Sequence, residues 1–146
     1  MSFKRPVIRP ADLSYVDYTG GNFWRFDLRN ANMVGAVLVG ANMKRVDLRC
    51  ADMTDCNLAG ANLERANMQG AKLNGANLEG ANLTNANLCH AELVGANMDN
   101  ARLKGADLSF VISDCDILGH VTLEEVPVGK VAVCDRCGKE YVVGDS

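Results

Sequence analysis

The sequence predicts an all-β solenoid, a stack of square coils, and three observations predict it. A five-residue period, Ala-(Asn/Asp)-(Leu/Met)-x-x, runs twenty times without a break from Ala11 to Phe110. That period suits neither a helix, which needs apolar residues three and four apart, nor a flat strand, which needs strict alternation. The last residue of each unit is one that turns a chain, since nine of the twenty are Gly and three are Asn, the residues that best tolerate positive φ.

Each element follows from its place in the unit. With the Leu/Met position as the centre, centres fall every five residues from 13 to 108; thirteen are Leu, five are Met (Met33, Met43, Met53, Met68, Met98), and two are Tyr18 and Phe23. Two residues earlier, fifteen of twenty positions are Ala, with Val16, Gly21, Phe26, Val46 and Cys56 as exceptions. The position between holds Asn or Asp sixteen times and breaks only at Val37, Lys72, Glu92 and Arg102. Residues two apart in an extended segment point the same way, so Ala and the centre face inward as a small and a large layer. The fifth residue then fills the positive-φ slot of a type II turn. Four such corners close a coil of twenty residues, and coils stack at about 4.8 Å.

With the small residue, the Asn/Asp and the Leu/Met all recurring in phase, the chain resembles the pentapeptide-repeat family. The resemblance implies a right-handed quadrilateral β-helix of about five to six coils. It covers Ala11 to Phe110, with degenerate units on to Glu125. It leaves the biochemical role open, because the family serves several and a fold does not imply a function.

A chain of 146 residues suits one domain, organised in three parts. Residues 1–10 carry Lys4, Arg5 and Arg9 with Pro6 and Pro10 and read as an extended lead-in over the first coil, or as a binding arm. Residues 11–125 form the β-helix, regular over 11–110 and degenerate over 111–125, where Val111, Asp116 and Val121 replace Ala and the centres are Ser113, Leu118 and Leu123. Terminal repeats of solenoids are atypical because the end of the stack must be covered. Residues 126–146 form a Cys-x-x-Cys tail: Val126–Val133 reads as a turn into a strand and Lys139–Val143 as another, giving a short β-hairpin or a zinc-knuckle-like cap. No apolar run follows the N-terminal charges and no stretch reaches the length of a membrane span, so the expectation is a cytoplasmic protein without membrane partners. In that setting six Cys favour reduced thiols or metal over disulfides.

The period maps the surface. Two faces carry Asp12, Asp17, Asp52, Asp55, Glu79, Glu92 and Asp99 against a single Lys72. The other two hold a basic cluster: Arg25, Arg45 and Arg65 share one corner, with Lys44, Arg29 and Arg49 beside them and Asp27, Asp47 and Glu64 in partial compensation. Stacked like charges about 5 Å apart repel, though solvent screens them. The cluster is either a solvated face or a site for an acidic partner, with Trp24, Arg25, Lys44, Arg45 and Arg65 as the candidate contacts. Trp24 adds a contact residue or covers the open end of the first coil.

The best candidate for site chemistry is Cys134-Asp135-Arg136-Cys137-Gly138, whose Cys-x-x-Cys spacing lets two thiolates bind one tetrahedral Zn²⁺. A structural site needs four ligands, and Cys115 and His120 are the nearest upstream donors. In a coil that stayed square these two would sit at successive corners, far apart for one ion. The alternatives are a zinc shared by two chains through Cys134 and Cys137, unliganded thiols, or a redox pair. Cys56, at an Ala position, reads as core; Cys50, Cys89 and His90 lie too far apart for a shared metal. The ladder Asn22, Asn42, Asn62 and Asn82 reads as turn and side-chain hydrogen bonding.

No break in the repeats forms a pocket, and a core filled by Ala, Leu and Met leaves none inside, so no catalytic residues are expected. The leading expectation is a non-enzymatic structural or interaction module, a rigid rod presenting charged faces to a protein partner, with a zinc-stabilised cap. The second is a modulator of DNA gyrase or another nucleic-acid enzyme that mimics DNA, as pentapeptide-repeat proteins conferring quinolone resistance do. That mimicry needs a long negative surface; residues 11–125 carry fifteen acids against nine bases, and the basic cluster interrupts the acid. Direct nucleic-acid binding is not expected. Exposed solenoid ends or the tail could join copies into a homo-oligomer.

Overall fold

The computed structural model describes residues 11–113, 130–134 and 140–143. The lead-in 1–10, residues 114–125 of the degenerate stretch and the rest of the tail lie outside the described residues.

The backbone donors of one unit show why five residues make one side of a coil. In Ala31–Gly35, the Ala31 N–H donates across the preceding corner to the Leu28 carbonyl (3.1 Å). The Asn32 N–H reaches back one coil to Ala11 (2.8 Å), while the Met33 and Gly35 N–H groups reach forward to Asp52 (2.7 Å) and Thr54 (2.9 Å). That leaves Val34, whose N–H donates to the Asn32 side-chain oxygen (3.2 Å). All five donors are satisfied, as a buried backbone requires. The Asn/Asp of the repeat is therefore a structural acceptor, an Asx turn. All sixteen Asn and Asp at this position accept the N–H two residues on, from Asp12 to Asp107.

Where the acceptor is missing, one break has a replacement. Glu92 cannot serve Val94, and Asn74 of the preceding coil takes over: its Oδ1 accepts from the Val94 N–H (3.0 Å) and its Nδ2 donates to Glu92 Oε2 (2.8 Å).

Every corner turns as the spacing predicts. The fifth residue of all twenty units has positive φ, between 57° and 72°, including side chains as large as Arg25, His90 and Phe110. A left-handed conformation costs a non-Gly residue roughly 1–2 kcal/mol, so the ladder on either side holds eleven such residues against their preference.

The coils stack in parallel with a twenty-residue register, giving four columns of outward residues: Asp12-Asn32-Asp52-Lys72-Glu92 on face one, Asp17-Val37-Asn57-Asn77-Asn97 on face two, Asn22-Asn42-Asn62-Asn82-Arg102 on face three and Asp27-Asp47-Asn67-Asn87-Asp107 on face four. From residue 12 to residue 112 five rises span about 24 Å. Inside, Ala and centre side chains are sealed from solvent, as with Ala41, Met43, Leu63 and Leu83, each at 0% exposure. Cys56 takes an Ala position and is buried as expected; its thiol donates to the Met33 carbonyl, and burial pushes its pKa up to about 12.

The first coil departs from Ala-Leu packing. Phe23 is buried at a centre and packs edge-on against Tyr18 and Phe26, with ring centroids 5.5 Å apart in both pairs. Gly21 replaces Ala there because a Cβ would lie 2.9 Å from both the Phe23 ring and the Tyr18 carbonyl. These three rings, and not Trp24, fill the interior of the first coil; Trp24 is 50% exposed.

At the other end the stack continues as a sheet. Strand β1 (Glu92–Leu93) pairs in parallel with β2 (Val111–Ser113). Strand β3 (Lys130–Cys134) adds in parallel to β2, with Ser113 opposite Cys134. Strand β4 (Glu140–Val143) then runs antiparallel to β3. The two strands predicted in the tail thus form as an antiparallel pair. Ser113 occupies an inward centre, fully buried, and its hydroxyl has no hydrogen-bond partner among the described residues. No helix among the described residues is long and apolar enough to cross a membrane.

Candidate partner-binding surface

The register divides the rod lengthwise. Over residues 11–113, faces one and two carry seven carboxylates and one base, net −6, while faces three and four carry eight bases and four carboxylates, net +4. The two signs lie on opposite sides of a rigid frame.

The basic side is not uniform, because burial sorts its charges. Asp27 and Asp47 are each 3% exposed. Each is held within its own unit by the Arg two residues on, Nε to Oδ1 at 2.9 Å and Nη2 to Oδ2 at 2.7 Å, first by Arg29 and then by Arg49. Arg29 also reaches Asp47 of the next coil at 3.8 Å. The hydrogen bonds and nearby charge of Asp47 hold the Arg49 guanidinium above its ordinary pKa. Lys44 pairs with Glu64 at 3.4 Å. Three of the six expected cations are therefore already paired with carboxylates of the same side.

Arg25, Arg45 and Arg65 are different. All three are exposed at one corner with φ of 60°, 59° and 57°, one coil apart, and none forms an ion pair among the described residues. Arg25 lies over the Trp24 ring, its guanidinium carbon 5.3 Å from the centroid, a cation–π contact. The predicted contacts Trp24, Arg25, Arg45 and Arg65 thus form one open column, and Lys44 stands beside it already paired.

The acidic side is fixed by short bonds. Asp12 accepts from the Ser14 hydroxyl and Asp17 from the Thr19 hydroxyl, both at 2.6 Å, and these bonds, with the backbone N–H of the same residues, hold both carboxyls below the usual aspartate range. Asp52 accepts from the Thr54 hydroxyl at 2.6 Å.

Of the expected zinc ligands, Cys115, His120 and Cys137 lie outside the described residues, and Cys134 ends β3. Among the described residues no group of three or more His, Cys, Asp or Glu is placed to hold a metal ion. His90 stacks on Phe110, rings 4.9 Å apart and 9° from parallel. The ladder at Asn22 and Asn42 behaves as expected, with Asn42 Nδ2 donating to Asn22 Oδ1 at 3.3 Å.

The model of pentapeptide repeats matches the chain over residues 11–49, 47–85 and 81–111. No curated protein matches it. Among solved structures, a pentapeptide repeat protein from the Arabidopsis thaliana thylakoid lumen is 26% identical, covering 90% of this chain and 85% of its own at a TM-score of 0.52. A pentapeptide repeat protein from Nostoc Pcc 7120 is 35% identical over 62% of this chain and 71% of its own, TM-score 0.53. A trypsin-treated form of QnrB1, a plasmid-mediated fluoroquinolone resistance protein, shares the fold at 17% identity, covering 89% of this chain and 65% of its own, TM-score 0.52. On the repeats that match from residue 11 to residue 111 and the parallel stack they build, the chain belongs to the pentapeptide-repeat family, non-catalytic structural proteins with a right-handed β-helix fold.

Proposed function

We propose that this protein is an interaction module whose rod, of five to six coils, binds an acidic protein surface through Trp24, Arg25, Arg45 and Arg65. The observation that carries it is the open arginine column: three guanidinium groups one coil apart with no carboxylate partner among the described residues, beside Arg29 and Arg49, which are paired within their own units. Repulsion along such a column is relieved when a carboxylate-bearing partner docks. The triple substitution Arg25→Glu, Arg45→Glu, Arg65→Glu reverses the column without touching the core. In affinity capture from the source cells, partners recovered with the parent and lost with the triple variant support this function; an identical set from both overturns it.

A second reading takes the opposite side. The net −6 half and a fold shared with a fluoroquinolone resistance protein support a modulator of DNA gyrase or another nucleic-acid enzyme that acts by mimicking DNA. Gyrase supercoiling assays decide it: protection or inhibition that falls when Asp12, Asp17, Asp52 and Asp55 are changed to Asn supports mimicry, and no change in supercoiling removes it.

For the tail we propose that Cys134 and Cys137, with Cys115 and His120, hold a structural Zn²⁺ that fastens the end of the rod. Metal analysis of the purified chain should find about one zinc per chain that is lost in Cys134→Ser; no zinc in the parent overturns it.

A further inference from the structure

On faces one and two, every coil carries carboxylates except the second, where residues 31–40 contain no charged side chain. Its outward side chains are Asn32, which donates to Asp12, and three valines, Val34, Val37 and Val39, each half-buried. Tyr15 of the first coil, 77% exposed, lies across Gly35 so closely that a Cβ there would be 2.6 Å from its ring. The ladder makes these residues neighbours: the Tyr15 N–H donates to Val34 O (2.9 Å) and the Gly20 N–H to Val39 O (2.8 Å). An apolar band thus wraps the corner between the two faces.

The fold does not require it. Val37 stands where sixteen of twenty units place Asn or Asp, and it gives up the Asx hydrogen bond that all sixteen make. The Val39 N–H consequently finds no acceptor among the described residues, as also happens after the charged breaks at Lys72 and Arg102, whereas the break at Glu92 is made good by Asn74. A hydrogen bond has been given up to place an apolar side chain outward. Carboxylates frame the band: Asp12 and Asp17 in the coil before it, and Asp52 and Asp55 in the coil after it, three of them fixed by hydroxyl bonds at 2.6 Å. An apolar centre with an aromatic residue and a charged rim is the anatomy of a protein interface.

We infer that Tyr15, Val34, Val37 and Val39 form a docking surface for a basic segment with apolar anchors, its cations meeting Asp12, Asp17, Asp52 and Asp55. The rim sets the sign of the partner, since an acidic or uncharged segment gains nothing from four carboxylates, three of them fixed. The surface rests on the interaction-module function but lies on the side opposite the arginine column, so the two fail separately.

Val37→Asn is the informative variant, because it restores the repeat's own acceptor and keeps the rod folded. The probe is a fluorescent peptide of alternating Lys and Leu, with a Lys/Ser peptide as control, titrated against the full chain. The Lys/Leu peptide should bind the parent and lose about tenfold in affinity with Val37→Asn, the loss of one good contact. Asp52→Asn with Asp55→Asn should flatten the salt dependence. Equal binding of both peptides, or equal affinity for parent and Val37→Asn, overturns the inference. So does a parent that self-associates in sedimentation while Val37→Asn is monomeric, which would make a second copy the occupant. Arg25→Glu should leave Lys/Leu binding no weaker, and a loss there would also count against this surface.

Discussion

Arg49 grips the buried carboxylate of Asp47 with two parallel hydrogen bonds of 2.9 and 2.7 Å inside a single five-residue unit. One coil on, the same two columns hold Asn67 and Gln69, so the chain itself shows a neutral solution for the same place. Arg49→Gln alone leaves Asp47 without its forked partner and should lower the melting temperature clearly. Adding Asp47→Asn copies the next coil and should recover most of the loss. A double variant no more stable than Arg49→Gln would show that the pair does more than satisfy itself.

The Asx acceptor has a measurable worth. Asn62→Ala removes the bond from the Glu64 N–H and should cost about 1 kcal/mol in urea unfolding. Val37→Asn should stabilise by a similar amount, about 1 kcal/mol, because it supplies an acceptor where none exists among the described residues. If the two variants shift stability in the same direction, the acceptor role assigned to this position is wrong.

Ser113 buries a hydroxyl with no partner among the described residues. Ser113→Ala should stabilise the chain by roughly 1 kcal/mol, since it removes an unsatisfied group and leaves only a small gap. Denaturant midpoints of the two proteins test this, and a loss of stability would show that the hydroxyl is engaged.

Two kinds of side chain tie stability to pH in opposite directions. The carboxyls of Asp12 and Asp17 titrate below their ordinary value in the folded rod, so their contribution is complete above the unfolded value and disappears as pH falls through the folded one. Ser14→Ala and Thr19→Ala should move each titration back toward the ordinary aspartate value in carboxyl NMR. The Cys56 thiol is raised to about 12, so its contribution is complete below the unfolded thiol pKa and declines as pH rises from there toward 12. Cys56→Ala, the residue that fifteen of the twenty units use, should keep the fold and remove that alkaline decline.

Much of the architecture is legible because every unit solves the same problem with the same residues. The inward Ala and Leu or Met, the turning fifth residue and the twenty-residue register can all be read from the sequence, as can the arginine column. What hid from the pattern were relations between columns. Nothing in the spacing says that Arg29 and Arg49 fold back onto their own aspartates while Arg25 and Arg45 stay open; that depends on Asp27 and Asp47 being 3% exposed. The valine band was visible as a break at Val37, yet its meaning needed the sixteen hydrogen bonds around it. Trp24 offered two roles, and only the placement of Tyr18, Phe23 and Phe26 inside the first coil leaves it as a surface residue.

The twenty-residue register of the four columns makes the rod a device for rotation. Inserting or deleting one five-residue unit keeps the inward pattern in phase, so the core and ladder re-form, but every column downstream turns by a quarter. Two units turn the downstream part by half, carrying its basic side round to continue the acidic side of the part before it. Four units restore the alignment and only lengthen the rod. Short length changes can therefore re-aim charge and anchors against one another without altering a single buried contact type.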